Sequence, residues 1–178
     1  MALQAPEGTK DLLPDEAKFW AHFKATAADM FGRYGYVTIE TPVFEQTELF
    51  VRGIGEATDV VSKEMFTAIS GQNLQTLLDG GSIKAKSRLS LRPEGTAGVM
   101  RALSCTDVMN GVEQRVYYYG PMFRGERPAA GRRRQFHQVG VENVGRVAPL
   151  IDAECIAMLM EFLREIGIPD AKLSINTR

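Results

Sequence analysis

Two segments of the chain repeat apolar residues with the period of an amphipathic α-helix. Between Asp15 and Arg33, directly after Pro14, they fall close to positions i, i+3 and i+4 of one face. These residues are Phe19, Trp20, Phe23, Ala27, Met30 and Phe31. A second stripe, between Ile151 and Ile166, is followed by Gly167 and Pro169, and its members are Ile156, Leu159, Met160 and Leu163. We therefore expect two helices that each turn one apolar face to a core.

Alternating apolar and polar residues predict strands elsewhere in the chain. Residues 116–142 form two β-rich arms around a loop of Gly, Pro and Arg, which is typical of a hairpin with a long, mobile tip. Further strands are expected over residues 35–45 and 172–176. A short strand is expected at Leu89–Leu91, because Pro93 has no N–H with which to continue a ladder.

The remaining segments complete an α+β pattern. A short helix is expected from about Thr96 to Leu103, and residues 71–88 are interpreted as a surface excursion with a helical turn at Leu74–Leu78. Helices beside an antiparallel sheet predict an α+β fold. With 178 residues, 44% of them hydrophobic, the chain can build the core of one domain.

Composition excludes several classes of protein. The net charge is −1, so any contact with nucleic acid has to be local. Cys105 and Cys155 are isolated, which favours reduced thiols over a disulfide or a metal site, and His22 and His137 are too few and too scattered to predict a metal site. No run is apolar enough for a membrane helix, and charged residues interrupt the N-terminal stretch that a signal peptide would need. We expect a cytoplasmic protein.

Positive charge is concentrated in the hairpin loop, where five arginines fall between positions 124 and 134. Guanidinium groups suit phosphate, and Phe136 offers a stacking face to a nucleobase, so the loop suggests a nucleotide site. A solvated loop or nonspecific contact with nucleic acid would also explain the arginines. Those alternatives leave Glu126 and Glu142 without a purpose, because each would repel phosphate unless it had a separate partner.

Strand alternation assigns the residues after the loop to two faces. Phe136 and Gln138 share one face, while Gln135 and His137 lie on the other, so we expect His137 to point away from the pocket.

Glu94 and Thr96 stand at the entrance to the short helix. Thr96 could be the N-cap of that helix, and Glu94 could be a charge near its positive end. A carboxylate beside a hydroxyl could equally hold an amino group, as in an amino acid substrate.

These blocks, in this order, closely resemble the class II aminoacyl-tRNA synthetases, and specifically the bacterial-type histidyl-tRNA synthetases. Residues 15–45 are similar to motif 1 of that class and residues 116–142 to its motif 2. The run from Arg92 to Thr96 and the run from Gln135 to Glu142 are similar to signatures of the histidine family. Residues 6–11 and 44–66 also follow its pattern.

The resemblance implies an ATP site in the hairpin. Arg124 would contact the α-phosphate of ATP and later the adenylate, as the catalytic arginine. Arg132 would reach the outer phosphates. Glu126 would lie near the adenine amino group, and Phe136 would stack on the adenine.

The resemblance also implies a histidine site. Glu94 and Thr96 would hold the α-amino group of histidine. Gln138 and Glu142 would line the pocket for its side chain, with Glu142 accepting a hydrogen bond from the imidazole N–H. No metal-binding residue is implied.

The implied reaction activates histidine and transfers it. The histidine carboxylate would attack the α-phosphorus of ATP, which arrives with Mg²⁺, and pyrophosphate would leave. Histidine would then pass to the terminal ribose of its tRNA. Motif 1 implies a homodimer.

Three features of the family are missing from the 178 residues, and two others depart from its pattern. The second histidine signature, the glycine-rich motif 3 and an anticodon-binding domain do not occur in them. We therefore expect residues 1–178 to be the N-terminal part of a catalytic domain, with weak ATP binding and no aminoacylation of their own. Gly125 stands where the family usually has a larger side chain, which predicts a more flexible loop. Residues 71–88 form a longer connection between two strands than is usual in the family.

Two other functions stay open. One is the synthetase-like regulatory subunit of ATP phosphoribosyltransferase, which usually loses parts of motif 2 and of the Glu-Gly-Thr pattern. The other is a module that binds nucleic acid through its arginine hairpin.

Overall fold

The computed structural model describes residues 3–104, 106 and 110–176. Its helices are α1 (Pro14–Arg33), α2 (Thr47–Ile54), α3 (Gly71–Leu78), α4 (Thr96–Leu103) and α5 (Pro149–Glu165), with short turns of π-helix at Val60–Glu64 and of 3₁₀-helix at Ala85–Ser87. Its strands are β1 (Val37–Thr38), β2 (Phe44–Gln46), β3 (Thr67–Ala68), β4 (Leu89–Leu91), β5 (Gln114–Phe123) and β6 (Gln135–Val144). None of the described helices is long and apolar enough to cross a membrane.

The described chain divides into two compact units. The first contains residues 3–11, 40–104, 106 and 118–140, and the second contains residues 12–39, 110–117 and 141–176. Strands are ordered β1-β5-β6 in one sheet and β2-β4-β3 in the other. The α+β fold expected from the sequence is confirmed, although the first sheet includes a parallel pair, β1 with β5.

Helices α1 and α5 build the core of the second unit. The rings of Phe31 and Phe162 lie 5.2 Å apart between centroids, and Phe31 also packs at 5.3 Å against Tyr117. Ala27 and Met30 are buried beside Phe31, so the predicted helix and the C-terminal half of its apolar face are confirmed. Phe19 belongs to the same predicted stripe but is 61% exposed.

The predicted stripe of α5 is wrong. Met158 and Phe162 are its buried residues, whereas Leu159 is 51% exposed. Helix α5 carries apolar residues on more than one side, so periodicity alone does not select its buried face. Packing against α1 makes that selection.

The strand predicted over residues 35–45 is divided in two. Val37 and Thr38 pair with β5, whereas β2 pairs antiparallel with β4, and the Thr41-Pro42 step belongs to neither strand. Pro42 cannot donate to a ladder, which favours a break at this point. Before β1, Gly35 adopts a positive φ of 80° and turns the chain out of α1.

The first unit contains the elements that surround the hairpin loop. Its sheet pairs β4 with both β2 and β3. The predicted strand at Leu89–Leu91, the helix to Leu103 and the helical turn at Leu74–Leu78 are all confirmed, the last as part of α3. Ser70 caps α3, because its hydroxyl accepts a hydrogen bond from the N–H of Asn73 at 3.4 Å.

The long hairpin is confirmed, and the last predicted strand is not. β5 and β6 are its arms, and the N–H of Arg124 donates to the carbonyl of Arg134 at 2.9 Å where the loop begins. Within the loop, Ala129 and Arg132 exchange backbone hydrogen bonds around Gly131. Residues 172–176 form no strand, because an alternating sequence needs a neighbouring strand to pair with and these residues have none among the described ones.

Candidate active site

The hairpin loop and the start of β6 enclose a cavity of about 590 Å³. We call it the arginine cavity, and its lining residues are Glu64, Arg124, Glu126, Gly131, Arg132, Arg133, Phe136 and His137. All four residues predicted to bind ATP line it. Their assignment to ATP stays a prediction, but the structure brings them to one place.

Arg124 is held in position by the backbone of a different segment. Its Nε donates to the carbonyl oxygen of Pro93 at 3.0 Å. Its guanidinium carbon lies 5.2 Å from the centroid of the Phe136 ring, a cation–π distance. Since Nε is committed to Pro93, the two terminal nitrogens are the ones that can reach an anion in the cavity.

Glu126 has the separate partner that its place beside arginines requires. Its carboxylate lies 3.6 Å from the guanidinium of Arg132, and its backbone carbonyl accepts from Nε of Arg134 at 3.2 Å. The Arg132 side chain is 74% exposed, so this ion pair is weak and an incoming phosphate can compete for the arginine.

Gly125 permits a close approach at the edge of the cavity. Its N–H donates to the carbonyl of Glu64 at 2.6 Å. A Cβ at position 125 would stand only 3.3 Å from that oxygen. The glycine therefore allows the end of the π-helical turn to pack against the loop.

The N-terminal segment is fastened to the start of β6. The carbonyl of Gly8 accepts from the N–H groups of Arg134 and Gln135, at 2.9 and 3.2 Å. Gly8 has a φ of 82°, and a Cβ there would fall 2.8 Å from the Arg134 side chain. A glycine is required at this position for both reasons.

The predicted alternation around His137 is confirmed, although the residue also borders the arginine cavity. His137 stacks on Tyr119, with ring centroids 5.3 Å apart, and it also lines the arginine cavity. Its neighbours Phe136 and Gln138 contact Arg124 and Gly95 instead, as expected for side chains on the other face of the strand. Burial raises the pKa of the neighbouring Tyr119 to about 12.

Glu94 caps helix α4 with its side chain. Its two carboxylate oxygens accept from the N–H of Thr96 at 2.6 Å and of Ala97 at 2.8 Å. Gly95 is the N-cap residue and Thr96 the first residue of the helix, so the interpretation of Thr96 as N-cap is wrong. The reason is that the Glu94 side chain satisfies the N–H groups of the first two helical residues, and its charge suits the positive end of the helix.

Glu94 and Thr96 also line a second cavity, of about 450 Å³, between α2 and α4. We call it the helix cavity, and its other lining residues are Leu49, Arg52, Gly53, Ile54, Ala97, Met100 and Arg101. The arginine cavity and the helix cavity share no lining residue. The predicted ATP residues and the predicted amine-binding pair therefore lie in separate cavities of the first unit.

Gln138 connects the hairpin to the turn before α4. Its side-chain oxygen accepts from the N–H of Gly95 at 3.1 Å. The ring of Tyr118 lies so close to this turn that a Cβ on Gly95 would fall 2.2 Å from it, and a Cβ on Gly140 would meet its hydroxyl. Both glycines are therefore required for Tyr118 to pack there.

Glu142 belongs to the second unit, where its side chain is half-buried near the end of β6. Its role as the residue that recognises imidazole stays a prediction.

Sequence reasoning did not single out three residues that shape the site. Arg92 is buried behind the Pro93 turn, Glu64 contributes to the arginine cavity, and Tyr118 supports Gly95. Tyr118 alternates with its neighbours like any strand residue, and the sequence names Arg92 only as the first residue of a family signature, without a role of its own. Their positions depend on contacts between segments distant in the sequence, which periodicity does not encode.

Among the described residues, no three His, Cys, Asp or Glu side chains are grouped closely enough to hold a metal ion. Cys155 is a free thiol, with its Sγ 3.3 Å from the hydroxyl of Tyr36. Cys105 lies outside the described residues.

Comparisons with known proteins identify the family of the chain. The family model described as Histidyl-tRNA synthetase matches residues 8–177. The chain is 48% identical over 176 residues to a histidine–tRNA ligase of Nitrosomonas eutropha, covering 99% of this chain and 39% of that protein. A histidine–tRNA ligase of Acaryochloris marina is 47% identical, with 98% and 38% covered. The chain thus spans about two fifths of the length of these curated relatives.

A solved structure shares the fold. The crystal structure of apo S. aureus histidyl-tRNA synthetase superposes with a TM-score of 0.70 at 33% identity, over 93% of this chain and 35% of that one. Together with the match over nearly the whole chain, this shows that the chain belongs to the histidyl-tRNA synthetase family.

Proposed function

We propose that this chain carries the ATP-binding residues and part of the histidine-binding residues of a histidine–tRNA ligase. The observation that carries the proposal is the arginine cavity, in which Arg124 is fixed between the Pro93 carbonyl and the Phe136 ring. Adenine fits the stacking face of Phe136, and the α-phosphate fits the terminal nitrogens of Arg124. Residues 15–45 and 116–142 serve as motifs 1 and 2.

In the proposed reaction the protein positions groups and offsets charge. Arg124 neutralises the charge that develops on the α-phosphate as the histidine carboxylate attacks. Arg132 exchanges its weak pair with Glu126 for the outer phosphates. Glu126 is then released to accept a hydrogen bond from the adenine amino group.

The amino acid is held by the other set of residues. A carboxylate can accept about four hydrogen bonds, and Glu94 uses two of these on helix α4, so it can still bind the α-amino group of histidine. Gln138 keeps its amide nitrogen for the substrate while its oxygen holds Gly95. Glu142 accepts from the imidazole N–H.

Mg²⁺ would arrive with ATP. Magnesium is usually held by one or two carboxylates together with the phosphates of the substrate. Glu64, the carboxylate in the lining of the arginine cavity that is not assigned to adenine, fits this requirement. The ion would supply charge neutralisation at the phosphates.

Histidine-dependent exchange of pyrophosphate into ATP tests the proposal. In a protein that carries this chain as part of a complete catalytic domain, exchange is expected to require histidine and to be lost in Arg124→Ala. An alanine at an exposed arginine of the first unit, Arg88, provides the control and should leave exchange unchanged. Exchange that survives in Arg124→Ala would contradict the proposed role of the cavity.

The same measurements separate the two other candidate functions. A regulatory subunit would bind histidine without exchanging pyrophosphate. A nucleic-acid module would bind RNA tightly in the absence of ATP, and Arg124→Ala would weaken that binding. The presence of Arg124, Glu126, Phe136, Gln138 and Glu142 together supports the ligase.

A further inference from the structure

Arg92 is a buried arginine with hydrogen-bond acceptors in two separate segments. It is 8% exposed. Its Nε donates to the carbonyl of Pro121 at 2.9 Å, and one terminal nitrogen donates to the carbonyl of Thr41 at 2.9 Å and to its hydroxyl at 3.3 Å. Burial lowers the pKa of Arg92, an effect that the negative charge of Glu40 opposes. Burying a positive charge costs free energy, so a buried arginine is expected to have a role in the structure or the function.

The strand β5 is shaped to admit this side chain. A Cβ on Gly120 would fall 2.2 Å from the other terminal nitrogen of Arg92. The backbone of Arg92 is fixed as well, because its N–H donates to Val43 and its carbonyl accepts from Phe123, each at 2.9 Å. Arg92 is therefore held from both the backbone and the side chain.

The residue that follows Arg92 positions Arg124. The carbonyl of Pro93 accepts from Nε of Arg124, and Arg124 in turn packs over Phe136. Arg92 and Arg124 also flank Phe123, whose N–H is bonded to Arg92. A displacement of the Arg92 backbone would thus move the acceptor that aims the Arg124 guanidinium.

We infer, on the basis of the proposed function, that Arg92 is a positioning residue. It orients Arg124 towards ATP through the Pro93 carbonyl. It does not line the arginine cavity, so its effect on the nucleotide must pass through Arg124. A misplacement of about 1 Å in a catalytic group can cost up to about 100-fold in rate. Loss of the Arg92 fork should therefore weaken nucleotide binding without any lost contact to ATP.

A double-mutant cycle on ATP affinity tests this, because residues that act through one another are not additive. Arg92→Lys keeps the positive charge but loses the planar guanidinium group, whose nitrogens donate to Pro121 and Thr41 at the same time. In the otherwise unaltered protein it should raise the Kd for ATP, measured by calorimetry, by roughly 10-fold. In an Arg124→Lys background it should raise the Kd by no more than about twofold, since the residue it aims is already altered.

Arg115→Lys is the matched control. Arg115 is half-buried in the second unit, and its guanidinium donates to Glu113, Glu154 and the carbonyl of Tyr34. The control variant also loses a guanidinium fork, but it should leave the Kd for ATP within about twofold in both backgrounds. If it weakened ATP binding as much as Arg92→Lys does, the effect of Arg92 would be general destabilisation.

Gly120→Ala is the second variant, for use if Arg92→Lys unfolds below the assay temperature. Its methyl group displaces the Arg92 side chain without removing it, and it should reproduce the same non-additive pattern. Equal fold-changes in both backgrounds would overturn the inference while the proposed function stands. Failure of the unaltered protein to bind ATP at all would instead count against the proposed function.

Discussion

At the scale of single residues, the site reuses groups that already stabilise the fold. Glu94 caps α4 and is proposed to bind an amine, and Gln138 holds Gly95 and is proposed to contact histidine. The sequence identified these residues as candidates through the family resemblance. For Glu94 it also offered a structural role at the positive end of the helix, which the capping bonds confirm, but it offered none for Gln138, because that role depends on contact with a distant segment.

Glu94→Gln should separate the two roles of this side chain. The amide keeps one of the two oxygens that accept from the helix N–H groups and loses the charge, so the free energy of unfolding should fall by about 1–2 kcal/mol. The Michaelis constant for histidine in pyrophosphate exchange should rise at least about 10-fold, because an ammonium group loses its ionic partner. A thermal melt beside the kinetic assay checks both expectations. A stability loss without any change for histidine would remove Glu94 from the substrate site.

Glu142→Ala addresses the choice of amino acid. A site built to pair with a polar substrate group loses that substrate when the partner is removed, often by several kcal/mol. In the full-length enzyme, histidine-dependent pyrophosphate exchange should be abolished, while ATP affinity by calorimetry stays within about twofold, since the arginine cavity is unchanged. Exchange within a few-fold of the unaltered protein would show that Glu142 does not recognise the imidazole.

At the scale of elements, the sequence predicted the helices and turns that depend on neighbouring residues. It missed the features that depend on pairing or packing with distant segments. Pro14 and the apolar period were enough for α1, and the turn residues were enough for the hairpin. The alternating residues 172–176 form no strand, because strand formation depends on a partner. The exposed Leu159 shows the same limit for helices, since the buried face of α5 follows from α1.

The first strand of the hairpin is tied to the second by a charged cluster with a definite pH dependence. Glu113 accepts from the amide of Asn143 and from Arg115, both at 2.9 Å, and Arg146 lies 3.8 Å away. The hydrogen bond from Asn143, followed by that from Arg115, lowers the pKa of Glu113 below its ordinary value of 4.5. Since the folded pKa is the lower one, this contribution to stability is complete above the ordinary value and is lost as pH falls through the lowered one.

Glu113→Gln should therefore flatten the acid side of the stability profile. Between pH 6 and pH 3 the melting temperature of the unaltered protein should fall more than that of the variant, because the variant has no carboxylate to protonate at this position. Melts followed by circular dichroism across this range provide the measurement. Asp170→Asn, at an exposed acid of the same unit, is the control and should follow the unaltered protein. Parallel curves for Glu113→Gln and the unaltered protein would show that the cluster contributes nothing.

At the scale of the whole molecule, the second unit presents apolar side chains that its own core does not use. Phe19 on α1 and Val37 in β1 are 61% and 63% exposed. Both lie within residues 15–45, which resemble motif 1 and for which we propose a two-fold interface. Large exposed apolar residues mark interaction surfaces, and an isologous interface buries each such residue twice.

Phe19→Glu should consequently weaken self-association. Placing a charge at the centre of an apolar contact leaves it without water or a partner, and in a two-fold dimer this cost is incurred in both copies. We expect light scattering at micromolar concentration to give a dimer for the unaltered protein and a shift towards monomer for the variant. Leu159→Glu, which charges an exposed apolar position on α5, serves as the control and should remain dimeric. A protein that is monomeric before any change would contradict the proposed dimer. A Phe19→Glu dimer as tight as the original would place the interface elsewhere, because this helix is the apolar surface that a second copy is proposed to cover.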